Sequence, residues 1–552
     1  MRTLRFLLGF LALTAAAAGP APAATPPDSR APSSTLEKRL AKRQAAGERL
    51  YAGAALHLFY EARGHRPVWI DGRKPSAQAG ELLAALRAAD REGLRPDDYH
   101  IRTIAALFDG LRAAEPGERH PKGGDVHDLE LLLTDAFFLF ASHLTGGRVK
   151  PGTLEPEWNI AGRARDLGFL LGTALERGHL AATLRDLPPS RADYRLLRDA
   201  LASQRAIAAA GGWPLVPSGP ALHEGDRGPR VVALRRRLAA TGDLGERYAR
   251  GGILFDAAVA AALRLFQARH GLDVDAVAGT RTLAALNVSA GQRARQIEAN
   301  LERLRWLPRE LPPHRLLVNI ADFRLELIEA GSLSLAMRVI AGKQARRTPF
   351  FTGEITSIVL NPSWTVPEKI AVEDKLPLIL EDRDYLKEQG FHVFARKGRT
   401  WREIDPADVD WTRLSEEHFP YRLRQDTGPK NALGRIKFQV PNRHDIYLHD
   451  TPSHELFARA ERTFSSGCIR VERALDLAVR LLAADPGWSR ARIEEAIAAG
   501  DSVSVRLPAP LPVYLLYWTA WVDQDGALQF REDVYGRDAA ILEALARPLA
   551  TP

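Results

Sequence analysis

Cysteine is almost absent: the 552 residues contain one, Cys468. A single thiol cannot close an intramolecular disulfide, so no internal cross-link is available to hold the fold. Metal-ligand spacing is missing as well. The 15 histidines are scattered and no second cysteine exists to share a site with Cys468, so neither a metal nor a cofactor is expected. No long basic tract occurs either. The formal net charge of +8 is spread along the chain, which argues against nucleic acid as a partner and is compatible with an acidic surface such as a cell wall.

Long apolar runs are also lacking, with one exception at the start. Arg2 and Arg5 precede an apolar stretch from Phe6 to Ala18, and Ala21-Pro22-Ala23 offers a small-residue cleavage site before Ala24. Residues 1–23 thus have the form of an export signal. The stretch is short beside the roughly 20 apolar residues of a membrane span. An uncleaved signal acting as an anchor is the alternative, and the one expected route to a membrane. In either case the protein is expected outside the cytoplasm, where a lone cysteine avoids mispairing within its own chain.

The remaining composition, 45% hydrophobic and 26% charged, is that of globular protein, and the length exceeds one hydrophobic core. A Pro-, Ala- and Ser-rich leader over 24–35 is expected to be disordered. From 36 to 215 the periodicity is helical: Leu82, Leu83 and Leu86 share one face, and Leu129, Leu132, Leu133 and Ala136 share another. Trp69, Tyr99 and His143 fit core or cap positions better than ligand positions. A smaller three-helix unit spans 220–289. It carries Val231, Val232, Leu234 and Leu238 on one helix and Val259, Leu263, Leu265 and Phe266 on the next. A helical connector covers 290–312. From Leu316 the period becomes that of strands, which predicts a β-sandwich-like domain over 313–507, followed by a strand-and-helix extension over 508–552. The whole is an α+β multi-domain protein.

Cys468 lies in Ser465-Ser466-Gly467-Cys468-Ile469-Arg470. His449 stands nineteen positions upstream in Tyr447-Leu448-His449-Asp450-Thr451. A thiol and an imidazole are the two groups that cysteine acyl transfer needs. A free thiol has a pKa of about 8.5, so the neighbouring base must lower it or take its proton. Gly467 allows close backbone approach to a substrate. The plainer alternatives are a small buried Cys468 and a His449 with a structural hydrogen bond.

These two segments, with Asn361-Pro362-Ser363-Trp364-Thr365-Val366-Pro367, resemble the L,D-transpeptidase catalytic domain. The upstream helical region and the 220–289 unit resemble the large, multi-domain periplasmic branch of that family. The small unit is similar to its peptidoglycan-binding module at Phe266-Gln267, Gly271-Leu272, Asp275, Gly279, Thr282 and Leu283. It departs from that module at Ala276 and Thr280, where the family has glycine and proline, and a purely structural helical insert is the alternative. The resemblance implies that Cys468 is the nucleophile and His449 the base. The Gly467 and Cys468 amides with the Tyr447 hydroxyl would form the oxyanion site, and a backbone carbonyl would orient the imidazole. Ser466 stands where many members have histidine. Trp364, Arg470, Ser466 and Asn361 are candidate substrate-binding residues. For Tyr447, Trp364 and Arg470 the alternatives are sheet packing, core packing and scaffold pairing. The polar, aromatic-bearing stretch 369–428 matches a capping insertion.

The activity implied by the resemblance is a cross-link between third-position residues of peptidoglycan stem peptides, made through a cysteine acyl-enzyme with release of D-alanine. Carbapenems would acylate the same thiol. Partners would be stem peptides and glycan strands, with wall synthases as a further candidate. An L,D-carboxypeptidase, a lipoprotein-anchoring transferase and a non-catalytic wall-binding scaffold are the competing readings.

Overall fold

The computed structural model describes residues 34–114, 126–163, 165–250 and 252–549. The export signal expected over 1–23 lies outside them. So does the leader expected over 24–35, except for Ser34 and Thr35, which open a helix running to Ala41.

The N-terminal domain packs short helices around Val126–Gly146. That helix is long and apolar enough to cross a membrane, but most of it is buried in this core. Its acid Glu130 is 1% exposed and accepts hydrogen bonds from the Val68 and Trp69 amides, at 2.6 and 2.9 Å, and from the Tyr60 hydroxyl at 2.8 Å. Such partners are what a charge needs to lie inside a protein. Trp69, Tyr99 and His143 are buried, and the Tyr99 hydroxyl bonds His143 Nδ1 at 3.0 Å.

In the small unit, helices Pro229–Ala240, Ala257–Arg269 and Thr280–Leu286 enclose Val231, Leu234, Leu238, Val259, Leu263 and Phe266. Leu265 corrects the expected apolar face. It is 60% exposed, because it sits two positions, about 200° of helix rotation, beyond Leu263. The motif residues bond one another. The Gln267 side chain donates to Asp275 Oδ1 at 2.7 Å and to Thr282 Oγ1 at 3.3 Å, and accepts from the Ala276 amide at 2.9 Å. Ala276 has φ +61°, which explains why the resembled module has glycine there. A Cβ in the left-handed region costs about 1 kcal/mol. Ala276→Gly is therefore expected to stabilise the unit by about that amount, read as a higher denaturation midpoint at unchanged m-value. No gain would mean that packing of the buried methyl offsets the strain.

The unit is docked on the rest of the chain. The Arg531 side chain fills the space over Gly271, where a Cβ would collide with it. It also bridges the Arg269 carbonyl, at 3.0 Å, to Asp322, at 2.6 Å.

The large sheet of the domain that begins near residue 313 comprises β1 (Arg315–Asn319), β2 (Arg324–Glu329), β3 (Ser332–Gly342), β4 (Phe351–Leu360), β5 (Ile436–Gln439), β6 (Leu448–His449), β7 (Thr463–Ser465), β8 (Ile469–Val471) and β9 (Val503–Leu516). Its order is β7-β3-β8-β6-β5-β4-β9-β1-β2, and β2 pairs back onto β3, so the sheet curls round its own core. The domain boundary expected at 507/508 is corrected here, because it falls inside β9. That strand pairs antiparallel with β4 and parallel with β1. The prolines at 508, 510 and 512 shift its register between Arg506 and Leu511 without ending it. The strand expected at the start of the 508–552 extension divides accordingly. Its first part belongs to β9, and Ala520–Val522 forms a hairpin with Leu528–Phe530 across the Gln524-Asp525-Gly526 turn.

The insertion is a subdomain with its own four-stranded sheet, ordered Thr400–Ile404, Phe391–Lys397, Tyr421–Gln425, Trp364–Thr365. Its core includes Trp364, Ile379, Leu386, Phe391, Val393 and Leu423.

Candidate active site

The site is set by the parallel pairing of β6 and β8, in which Leu448 faces Ile469 and His449 faces Arg470. Side chains alternate along strands. Leu448 and Ile469 point into the core, fully buried, at roughly 1.5–3 kcal/mol apiece. Their neighbours Tyr447, His449, Cys468 and Arg470 take the other side and line one cavity of about 590 Å3. Burying the two aliphatic residues thus fixes the register that brings the polar four together.

The loop before β8 is held by its own Ser465 and by side chains from elsewhere. Ser465 Oγ accepts from the Gly467 amide at 3.1 Å and donates to the Cys468 carbonyl at 2.6 Å. Thr348 Oγ1 donates to the Gly467 carbonyl at 2.7 Å and accepts from the Gly342 amide at 3.0 Å. Tyr535, from the C-terminal extension, steadies Thr348: its hydroxyl accepts from the Thr348 amide at 3.3 Å and donates to the Gly342 carbonyl at 2.5 Å. Gly467 itself has φ +118°, and a Cβ there would lie 3.2 Å from Ile446 Cδ1. The Gly467 amide, expected as an oxyanion donor, is already committed to Ser465. Its residue acts through conformation, and the Cys468 amide and Tyr447 hydroxyl remain as the expected donors.

His449 is 5% exposed, and its Nδ1 bonds the Asp450 carbonyl at 2.5 Å. A carbonyl only accepts, so Nδ1 carries the proton and the lone pair of the neutral ring lies on Nε2. The Asp450 carboxylate has another task, accepting from the Arg435 amide at 2.9 Å. Burial, reinforced by the Arg470 charge, lowers the His449 pKa to about 3. Burial pushes the half-buried Cys468 thiol up, against the pull of hydrogen bonding from Tyr447 and of the Lys437 and Arg470 charges. The resting pair is therefore a neutral thiol and a neutral imidazole. Sγ also contacts the Asp445 carbonyl at 3.6 Å, and among the described residues no hydrogen bond joins it to the imidazole. Catalytic hydrogen bonds often tighten only once substrate is present.

The other expected residues divide. Arg470 is half-buried on the cavity wall, without an ion pair among the described residues. Trp364 is both core and cavity wall: it is 8% exposed, 6.3 Å from the Phe391 ring, and lines the cavity. Asn361 is a correction. Its side-chain amide points away from the cavity, donating to the carbonyls of Ala496, Ile497 and Asp501 at 3.0–3.2 Å, and so anchors a helix end. Ser466 accepts from Arg346 Nη1 at 2.8 Å.

Arg346 was not singled out by any sequence motif. Its guanidinium grips Asp374 through two bonds, at 2.6 and 2.8 Å, and its Nε reaches Glu373 at 3.0 Å. One side chain thereby ties the capping subdomain to the loop carrying Cys468. Lys437 was missed too. It faces His449 across β5 and β6, with Nζ 3.9 Å over the Tyr447 ring. Glu157, from the N-terminal domain, also reaches the cavity wall. Among the described residues no cluster of three or more acidic, histidine or cysteine side chains could hold a metal ion.

A thiol and a neutral imidazole, walled by cations and roofed by a separate subdomain, form an arrangement suited to acyl transfer from an anionic substrate. Family models match three segments of the chain: a scaffold domain over residues 54–201, a peptidoglycan-binding domain over 227–286 and an L,D-transpeptidase catalytic domain over 313–503. A Haemophilus influenzae protein provisionally named an L,D-transpeptidase is 37% identical over 246 residues, 45% of this chain and 48% of that protein. The match thus spans about half the length of the relative. Among solved structures, the L,D-transpeptidase (residues 123–326) of Xylanimonas cellulosilytica is 16% identical, covering 54% of this chain and 98% of that one, at a TM-score of 0.17. The Ldtfm–avibactam carbamoyl enzyme is 9% identical, covering 38% and 51%, at the same TM-score of 0.17. Likenesses that slight bear on neither the fold nor the chemistry. Residues 313–503 thus belong to the L,D-transpeptidase catalytic-domain family, in a chain that also carries a peptidoglycan-binding domain.

Proposed function

We propose that this protein is an exported, periplasmic L,D-transpeptidase that cross-links third-position residues of peptidoglycan stem peptides. The observation that carries the reading is the convergence of Cys468, His449, Tyr447 and Arg470 on one cavity within the matched catalytic domain. In the first half-reaction Sγ attacks the carbonyl of the third stem residue while its proton passes to His449 Nε2. The tetrahedral oxyanion is met by the Cys468 amide and the Tyr447 hydroxyl. The C–N bond to D-alanine then breaks, the imidazolium returns the proton to the leaving amine, and a thioester remains. In the second half-reaction the side-chain amine of a neighbouring stem attacks that thioester and gives its proton to His449. The C–S bond breaks and the thiol is restored. Water in place of the amine would make the protein an L,D-carboxypeptidase, and a lipoprotein amine would make it an anchoring enzyme. Mass spectrometry of disaccharide-tetrapeptide incubated with the protein separates these: a cross-linked dimer with loss of D-alanine supports the proposal, and free tripeptide alone overturns it.

The neutral pair gives this chemistry a distinctive pH profile. An imidazole with the ordinary pKa of about 6.5 loses roughly 25-fold of its base form between pH 7 and pH 5. His449, held at about 3, keeps its base form through that interval. Acylation by a soluble carbapenem is therefore expected to change by less than about threefold between pH 7 and 5, then to climb in alkali as the thiol ionises. A fall of twentyfold or so across the acid limb would mean that His449 titrates normally or is not the base.

Arg346 supplies a test of the capping subdomain that needs no truncation. Arg346→Met cuts its tie to the Cys468 loop, admitting water to the thioester. The ratio of free tripeptide to cross-linked dimer is expected to rise several-fold. An unchanged ratio would take the subdomain out of the partition between water and amine.

A further inference from the structure

A second cavity, of about 330 Å3, lies away from Cys468 where the helix Ala192–Ala209, the peptidoglycan-binding module, the helix Ala290–Arg305 and the hairpin Ala520–Phe530 meet. Three guanidiniums line it, those of Arg237, Arg269 and Arg293, against one carboxylate, Asp243. Asp243 is already taken by Arg269 through two bonds, at 2.6 and 2.5 Å. Arg237 and Arg293 have no ion pair among the described residues, although they are only 1% and 7% exposed. Arg237 donates Nε to the Leu286 carbonyl at 2.6 Å and lies over the Trp213 ring at 4.2 Å. Arg293 bonds Gln296 and the Ala285 carbonyl, at 2.8 and 3.2 Å, and lies over the Phe530 ring at 4.5 Å. Among the described residues, two polar atoms on side chains of this wall lack any hydrogen-bond partner: Arg237 Nη1, and Oε1 of Gln204, itself 8% exposed.

Buried charge without a counter-charge is among the costliest arrangements in a protein interior, and an aromatic face compensates it only in part. Two such cations side by side also repel. Burial and the neighbouring guanidiniums hold Arg293 down to about 9 and Arg237 to about 10, in the direction expected of a site short of negative charge. At roughly 30 Å3 per water, the volume corresponds to about ten waters, enough for one sugar or amino-acid unit.

We propose that this cavity binds an oxyanion, a carboxylate or phosphate carried on a body of that size, with Arg237 and Arg293 as its counter-charges and Trp213 and Phe530 as flat walls. The inference does not rest on the acyl-transfer reading, since no residue of the Cys468 cavity takes part. It gives the junction between the module and the rest of the chain a ligand of its own.

The test is calorimetric titration of the full chain at fixed ionic strength with inorganic phosphate, with N-acetylmuramic acid as a sugar carboxylate, and with neutral N-acetylglucosamine. Saturable binding of one acid or both, at one site per chain and without binding of the neutral sugar, is expected, and the tighter acid identifies the source of the oxyanion. Arg237→Gln and Arg293→Gln are each expected to weaken that binding at least about tenfold, the scale of a lost charge-assisted hydrogen bond. Where either change unfolds the junction, Ser203→Trp, on the exposed rim, obstructs the mouth with both arginines in place and is expected to weaken binding as well. Absence of saturable binding by either acid, equal binding of the neutral sugar, or unchanged affinity in the folded variants would overturn the proposal.

Discussion

Cys468→Ala and Cys468→Ser are each expected to lower cross-linking and carbapenem acylation by about five orders of magnitude or more, the scale of removing a nucleophile outright. The chain holds no second thiol to substitute for it. Serine keeps the shape but not the chemistry, because a neutral imidazole with its pKa near 3 is a weak base toward an alcohol. Folding is expected to survive both changes. The Sγ makes only a long contact to the Asp445 carbonyl, at 3.6 Å, and a hydrogen bond with Tyr447, while the loop is held by Ser465 and Thr348. Intact-mass measurement of the acyl adduct, with near-ultraviolet circular dichroism as the folding control, decides the matter. Acylation of either variant at the wild-type rate would remove Cys468 from the mechanism.

His449→Gln is expected to slow acylation by about a thousandfold at neutral pH, within the range for loss of a general base. Glutamine keeps an N–H that can still donate to the Asp450 carbonyl, so the strand end remains anchored while the proton acceptor is lost. The deficit is expected to narrow in alkali, where hydroxide ionises the thiol without help from the imidazole. A merely structural histidine predicts a deficit independent of pH. Stopped-flow acylation across pH 6 to 10 distinguishes the two.

The part of the site legible in the sequence is the part built from contiguous chain. Tyr447 and His449 stand either side of Leu448, and Cys468 and Arg470 either side of Ile469, so two short segments carry most of the expected site. Arg346 and Glu157 were invisible because only tertiary folding brings them to the cavity. No local spacing marks one arginine, in a chain with many, as the tie to Asp374. Asn361 was misjudged for a related reason. It stands in the right segment, but its φ of +48° turns the side chain toward a helix end. At the domain scale, the helical periodicities and the change to strand period at Leu316 located the architecture. The edge at 507/508 failed because prolines, which ordinarily end strands, here only shift the register of one that continues to Leu516.

The brace from Tyr535 through Thr348 to the Gly467 carbonyl also has a consequence in time. Everything that touches the cavity, from Glu157 to Arg470, precedes Tyr535 in the order of synthesis, as does strand Val503–Leu516. A nascent chain that has already emerged beyond its only thiol therefore holds a reactive group without the frame that aims it. Under the proposed mechanism the protein would thus be made inactive, its nucleophile presented only after a segment outside the cavity has been made and has folded back beneath it.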